Sequence, residues 1–172
     1  MTPYLQMALN NAWANSTLYA ALAGLSEAEF AAPRPGFFPS ISETLNHILI
    51  VDLYYLDALE EGGLGRRIRE QPPETTPAGL GARQAEADMR LATFCGNLTE
   101  AQLTRRVRTE RDEDPEMTER VDRLLLHLFQ HQIHHRGQAH VQVQDAGIAP
   151  PQLDDFYLDH DRAPSARPYW TE

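Results

Sequence analysis

Four of the seven histidines lie in one short segment, Leu124-Leu-Leu-His127-Leu-Phe-Gln-His131-Gln-Ile-His134-His135-Arg136-Gly137-Gln138. At about 100° per residue, the apolar side chains of this segment form one stripe along a helix, and His131 and His135 lie on that stripe. His127 and His134 fall on its flank. Residues four positions apart are neighbours on a helix, so the His131–His135 pair can bind one metal ion. The segment therefore predicts a core-facing helix that carries a metal-binding pair.

A buried histidine is more often hydrogen-bonded to its neighbours than bound to a metal, and that interpretation is the alternative here. Two imidazoles one turn apart favour the metal, because a cation satisfies a nitrogen lone pair on each ring, whereas two protonated rings repel each other.

A third imidazole comes from an earlier helical segment, where His47 lies within about 60° of Thr44, Val51, Tyr54 and Ala58 and so shares their apolar stripe. Three histidines without a fourth protein ligand leave positions for water, which is typical of catalytic rather than structural sites. Imidazole suits zinc, nickel, copper and iron, and the sequence does not choose among them.

Across the rest of the chain, the helical spacing of apolar residues and the helix start and stop signals predict an all-α fold. Its four helices are expected near residues 3–23, 40–59, 80–98 and 118–146. Ser40 and Glu43 form a predicted capping box at the start of the second helix, and Gly147 ends the fourth. Residues 60–79 are rich in Gly and Pro, and this connection is long enough to cross the bundle. No β-hairpin signal is found. We expect a single four-helix-bundle domain over residues 1–172, with an acidic C-terminal tail from about residue 150.

Two similar short segments, Leu25–Phe30 and Leu98–Leu103, follow the first and third helices. They indicate either an internal duplication or two independent capping boxes, and capping boxes are a common local solution.

The composition excludes several classes of function. All 15 basic residues are arginine, so a Schiff-base lysine is absent, and the formal charge of −10 opposes nucleic-acid binding. The single Cys95 allows no internal disulfide and is expected in the core. The N-terminus does not resemble a signal peptide, and no apolar run reaches the ~20 residues that span a bilayer. We therefore expect a cytoplasmic protein that does not bind membranes.

Four further residues have open roles. Arg136 is predicted to form a salt bridge, within the chain or with a second subunit, rather than to act at the metal. Asp52, within the apolar second helix, either orients a neighbouring group or pairs with an arginine. Trp13 and Asn15 either line a pocket or belong to the core.

Several motifs together resemble the DinB/YfiT-like metalloenzyme family. The resemblance rests on the segment from His131 to Gln138, on Asn11-Ala-Trp-Ala-Asn15, on Ser40-Ile-Ser-Glu-Thr-Leu-Asn-His-Ile48, and on Gly147-Ile-Ala-Pro-Pro-Gln-Leu-Asp154. It covers residues from about 5 to 158. The resemblance implies a four-helix bundle with an unusual crossover, often dimeric, and one divalent nickel or zinc ion on His47, His131 and His135. It also implies a homodimer for this chain.

Two hypotheses about function follow. The first is a metal-dependent enzyme, either a thiol-dependent transferase or isomerase or a hydrolase, acting on a small electrophile; thiol use is an analogy with related bundles. The second is a metal-binding stress or interaction protein without turnover. An open coordination site and bound small thiol or electrophile are expected only from the first.

Overall fold

The computed structural model describes residues 1–110 and 117–170. Numbered in chain order, its long helices are α1 (Pro3–Ala21), α3 (Ile41–Glu60), α4 (Pro77–Gly96) and α6 (Val121–Asp145). Single-turn helices α2 (Glu27–Phe30) and α5 (Glu100–Leu103) follow α1 and α4, and strands β1 (Arg106–Thr109) and β2 (Met117–Arg120) precede α6. Short 3-10 helices span Gly65–Glu70 and Pro164–Tyr169.

Side-chain caps set the starts of the long helices. The Thr2 hydroxyl accepts from the backbone of the first turn of α1, and Ser40 accepts from the Glu43 amide at 3.1 Å. The Glu43 carboxylate contacts the Ser40 hydroxyl at 3.4 Å and not its backbone amide, so the predicted capping box is only half formed. Thr76 caps α4 and Pro77 is its first residue, which places that helix three residues earlier than predicted.

The two similar short segments are both capping boxes. Ser26 pairs with Glu29 at α2, and Thr99 pairs with Gln102 at α5, with each side chain bonding to the other residue's backbone amide. This geometry agrees with the interpretation of two local capping solutions.

The connection between α3 and α4 is the predicted crossover. Arg90 of α4 pairs with Glu60 at the end of α3, whereas Asn46 near the start of α3 bonds to Glu74 just before α4. The two helices therefore run parallel, and residues 61–76 return along the length of the bundle. Helix α3 also packs against α6, and α1 packs against α4 and α6. The main core fills the space between these four helices, with Leu18, Leu56, Leu80 and Leu128 among its fully buried side chains.

The expectation that no strands pair was wrong. β1 and β2 pair antiparallel, with Val107 opposite Glu119 and Arg106 opposite Arg120, and the last helix starts at Val121 instead of Thr118. Val107 and Thr109 are buried while their neighbours are exposed, so the alternation needed for a strand is present. It spans only four residues, and a signal that short is not distinguishable from a loop in the sequence.

The C-terminal tail packs back onto α1. Trp13 and Ala14 form a second apolar cluster with Phe156 and Ala166, and the Trp13 indole nitrogen donates to Ser165 Oγ at 3.0 Å. Trp13 is therefore a core residue. Among the described residues, none of the helices combines the length and the apolar character needed to cross a membrane.

Candidate metal centre

The structure brings His47 of α3 together with His131 and His135 of α6. One ring nitrogen of each histidine lies within 4.8 Å of the others, and the Nε2 atoms of His47 and His131 are 3.0 Å apart. The ring centroids of His131 and His135 are separated by 4.4 Å, and those of His47 and His135 by 4.6 Å. We call these three residues the histidine triad.

The antiparallel packing of α3 and α6 creates this juxtaposition. The Thr44 hydroxyl donates to Gln142 at 2.8 Å on one side of the triad, and Gln132 donates to Asp52 on the other. These two cross-links fix the axial register of the helices. His47 consequently faces the turn of α6 that presents both of the other imidazoles.

Gln138 orients the third histidine of the triad. Its Oε1 atom lies 2.9 Å from His135 Nδ1, and its Nε2 atom lies 3.0 Å from His134 Nε2. An amide oxygen only accepts, so His135 Nδ1 carries the proton and Nε2 keeps its lone pair for a cation. The sequence analysis assigned Gln138 no role, although its position three residues after His135 places both on one helix face.

The surroundings of two triad histidines, His47 and His131, favour the neutral imidazole. Burial, followed by the neighbouring His135, lowers the pKa of His47 to about 4. Burial and the surrounding histidines lower the pKa of His131 to about 3. Ligating imidazoles must be unprotonated, so these shifts favour cation binding at neutral pH.

The donor set fits a divalent transition-metal ion. Ligands at the corners of a tetrahedron with Zn–N bonds of about 2.05 Å are about 3.3 Å apart, near the 3.0 Å between His47 and His131. His131 Nδ1 is buried without a partner among the described residues, so this ring lacks the outer hydrogen bond that most ligating histidines make. No other His, Cys, Asp or Glu of residues 1–110 and 117–170 joins the group.

Two aromatic rings from the loop before α3 lie against the triad. The Phe38 ring is 4.4 Å from His47 and 5.6 Å from His135, and the Phe37 ring is 6.4 Å from His135. The Phe38 carbonyl accepts from Gln142 Nε2 at 2.8 Å, which ties this loop to α6. His47 and His131 remain partly exposed, so the triad is covered only in part. Nothing in the sequence signalled this aromatic wall.

The flanking histidines stay outside the triad. His127 packs edge-on against Tyr55 at 5.2 Å, with its ring centroid 6.3 Å from that of His131. His134 is exposed and bonds to Gln138.

A buried polar network lies next to the triad in the bundle core. Arg136 Nη1 donates to the side-chain oxygens of Asn11 at 2.7 Å and Asn15 at 2.9 Å. The amide groups of these two asparagines donate to Asp88 in turn. Burial raises the pKa of Asp88 to about 6. Among the described residues, Arg136 therefore forms no salt bridge within the chain and is connected to Asp88 through the two asparagines.

Asp52 belongs to the same network and orients neighbouring amides. It accepts from Gln84 at 2.8 Å and from Gln132, and it has no direct ion pair with a described arginine. Burial and the nearby Asp88 raise its pKa well above the usual value. Cys95 is fully buried, and burial raises the pKa of its thiol to about 12, so its predicted place in the core is confirmed.

Comparison with known proteins identifies the family. The sequence profile of the DinB family matches residues 1–167. The chain belongs to the DinB family. A curated DinB relative, Protein DinB of Bacillus subtilis (strain 168), is 26% identical over 148 residues, covering 84% of this chain and 86% of the relative.

Two solved DinB-like structures share the fold. A DinB-like protein from Bacillus cereus ATCC 10987 superposes with a TM-score of 0.63 at 17% identity, covering 81% of this DinB chain and 90% of the other. A DinB-like protein from Bacillus subtilis superposes with a TM-score of 0.64 at 19% identity, covering 88% and 97%. The all-α, DinB-like fold predicted from the sequence is thereby confirmed.

Proposed function

We propose that this DinB-family protein is a metal-dependent enzyme whose histidine triad holds one divalent transition-metal ion, nickel or zinc. The observation that carries the proposal is the convergence of three imidazoles with no fourth protein ligand among the described residues. Two of the three rings are partly exposed, so a small molecule can reach the open side. Three protein ligands with solvent access are typical of catalytic zinc sites.

A cation in this position supplies Lewis-acid chemistry, lowering the pKa of a thiol or a water molecule so that a nucleophile forms at neutral pH. The chain's own residues have supporting roles. Gln138 holds the His135 ring in one tautomer, and Phe38 shields His47 and His135 from bulk water. We propose a small electrophile as the substrate, with a low-molecular-mass thiol or water as the nucleophile.

The absence of lysine and the burial of the one cysteine support this assignment. The sequence has no lysine, and Cys95 is buried with a pKa raised to about 12. A thiol that is both inaccessible and protonated is a poor nucleophile.

Metal content tests the first half of the proposal. We expect about one equivalent of nickel or zinc in protein purified without an affinity tag, measured by inductively coupled plasma mass spectrometry. His47→Ala and His135→Ala are each expected to lose most of it, whereas His160→Ala, which changes an exposed histidine outside the triad, retains it. Full metal content in both triad variants would contradict the proposal.

Turnover tests the second half. Metal-loaded protein is mixed with epoxides, activated halides or maleylpyruvate-like acids, with a panel of thiols or with water alone. We expect consumption of one of these electrophiles that disappears in His131→Ala. Activity that survives removal of the metal would contradict the mechanism.

The alternative function is a metal-binding stress or interaction protein without turnover. The contact of Phe37 and Phe38 with the triad favours it, because a wall of aromatic rings restricts access to the cation. Stoichiometric metal, a closed coordination shell by X-ray absorption and no reaction with any electrophile would together select this alternative.

We also propose that the protein is a homodimer, as the family resemblance implies. Sedimentation velocity is expected to give twice the 19.4 kDa chain mass. A species of one chain mass at all concentrations would contradict the dimer.

A further inference from the structure

A second concave site lies on the opposite side of α6 from the histidine triad. This open pocket of about 540 Å³ is lined by residues of α1, α6 and the segment after α6. Its α6 residues include Ile133, Arg136 and Gly137, which lie about 140–240° around the helix from His131. Its volume is in the range of pockets that bind small molecules, about 300–1,000 Å³.

The walls of this pocket are mostly apolar. Met7 from α1, Ile133 from α6, and Leu153 and Tyr157 from the C-terminal segment line it. The Tyr157 hydroxyl bonds to the Gln6 carbonyl at 3.3 Å and contacts Met7 Sδ at 3.0 Å, so the C-terminal wall is attached to α1.

The polar part of the pocket is a buried guanidinium with unused donors. Arg136 is only 6% exposed, and all of its hydrogen bonds run from Nη1, to Asn11, Asn15 and Gln132. Its Nε and Nη2 groups have no hydrogen-bond partner among the described residues. Both groups keep some surface that solvent can reach. Asn10, also buried, lines the pocket without a side-chain hydrogen bond to the described residues.

The carboxylates near Arg136 leave these donors available. Asp88 and Asp52 attract the guanidinium electrostatically without touching it. No described carboxylate forms an ion pair with it. Asp154 also lines the pocket, but it is exposed and its Oδ1 atom accepts from the Gln152 amide. A guanidinium with two free donors on the edge that faces the pocket is suited to binding an anion there.

We infer that this pocket binds a small monocarboxylate with an apolar body. The Nε and Nη2 groups of an arginine form a planar fork that matches the two oxygens of a carboxylate. The apolar walls then take the rest of the molecule out of water. A purely apolar occupant, including the apolar face of a second copy of the chain, would cover the guanidinium without satisfying its donors.

The probe for this inference is phenylbutyrate, titrated calorimetrically into the full-length protein, with phenylbutanamide as the uncharged control. We expect saturable binding of the acid and binding of the amide at least about tenfold weaker, because the amide lacks the charge that the guanidinium fork recognises. Equal affinity for both compounds would overturn the role of Arg136.

A matched pair of substitutions at Gly137 tests the location without disturbing the buried network. A Cβ at Gly137 meets nothing within 4 Å, so Gly137→Ala leaves the pocket open and Gly137→Phe places a ring in the available space. We expect wild-type affinity in Gly137→Ala and at least about tenfold weaker binding in Gly137→Phe, with equal thermal stability showing that both fold. Unchanged binding in Gly137→Phe would overturn the inference.

The carboxylate of the probe would also be able to bind a cation held by the triad. The variant His131→Ala distinguishes binding at the triad from binding in the pocket. Binding that persists in His131→Ala and is lost in Gly137→Phe supports the pocket, whether or not the triad proves to hold a metal. Binding that is lost in His131→Ala and retained in Gly137→Phe would overturn it. A shift of the Arg136 Nε–H resonance on addition of phenylbutyrate is the expected direct readout, and no shift at saturation would also overturn the inference.

Discussion

At the scale of single residues, the structure makes Gln138 responsible for the orientation of a proposed ligand. Its carbonyl oxygen accepts from His135 Nδ1 at 2.9 Å, whereas His131 Nδ1 has no equivalent partner among the described residues. An outer hydrogen bond fixes the tautomer and ring angle of a ligating histidine. The geometry of the triad therefore depends on a residue that is not one of the proposed ligands.

Gln138→Leu is expected to weaken zinc binding about 10- to 100-fold, because His135 becomes free to rotate and to exchange tautomers. Competition with a chromogenic chelator measures this affinity. Gln144→Leu, which changes an exposed glutamine on the same helix, is the matched control and should bind like wild type. Equal affinity in both variants would show that Gln138 has no positioning role.

In the metal-free protein, the contribution of His47 and His131 to stability should fall as the pH decreases from about 7 to about 4.5, whereas Asp88 and Asp52, whose pKa values burial raises, act in the opposite direction. The unfolded chain protonates histidines near the reference pKa of about 6.5, whereas His47 and His131 in the folded chain have pKa values of about 4 and about 3. At these two histidines the unfolded state therefore binds more protons across this interval, and this makes unfolding easier. On going from the higher to the lower pH, the urea midpoint of His131→Ala should therefore fall less, or rise more, than that of the wild type. An identical difference in His131→Ala and wild type would contradict the low pKa of His131.

At the scale of elements, the loop before α3 is held over the triad by one buried glutamine. Gln142 is fully buried, accepts from the Thr44 hydroxyl and donates to the Phe38 carbonyl. A Cβ at Gly36 would lie 2.7 Å from Gln142 Nε2, so glycine is needed for this close approach. The loop, α3 and α6 thus meet at one side chain.

Gln142→Leu should release this loop and so speed the transfer of metal to a chelator. The free energy of unfolding should fall by about 1–3 kcal/mol, because the Phe38 carbonyl loses its buried donor. Stopped-flow chelation and urea denaturation measure the two effects. The same exposed substitution, Gln144→Leu, should change neither. Chelation by Gln142→Leu at the wild-type rate would indicate that Gln142 does not hold the loop over the triad.

At the scale of the whole molecule, buried polar residues from α1, α3, α4 and α6 converge between the helices. Asn15 bridges two charges, accepting from Arg136 and donating to both oxygens of Asp88. A half-satisfied polar network in a low-dielectric interior is unfavourable, so the four helices must be correctly placed for this network to form.

Asn15→Leu is expected to lower the free energy of unfolding by about 3 kcal/mol, because it leaves Arg136 and Asp88 with fewer partners while keeping the side-chain volume similar. Urea denaturation followed by circular dichroism measures this change. Ser16→Ala, at an exposed neighbouring position, should have little effect. A loss below about 1 kcal/mol would show that the network contributes little to stability.

The amino-acid sequence by itself determined where the long helices lie and which of their faces are apolar. It also placed the three histidines of the triad on those apolar faces. Periodicity is a local property, and the i, i+4 spacing of His131 and His135 brings these imidazoles together in any helix. The long Gly- and Pro-rich connection also indicated the crossover, because its length exceeds what neighbouring antiparallel helices need. Four-residue strands gave no comparable signal.

Only the tertiary structure decided which residues meet across the bundle. The register of α3 against α6 places His47 at the pair, the crossover brings Asp88 and Gln84 to Asp52, and the tail closes the pocket beside Arg136. These contacts join residues up to 151 positions apart, as between Gln6 and Tyr157. Such pairings depend on the packing of all four helices at once, and no local pattern of one segment records where another segment will lie.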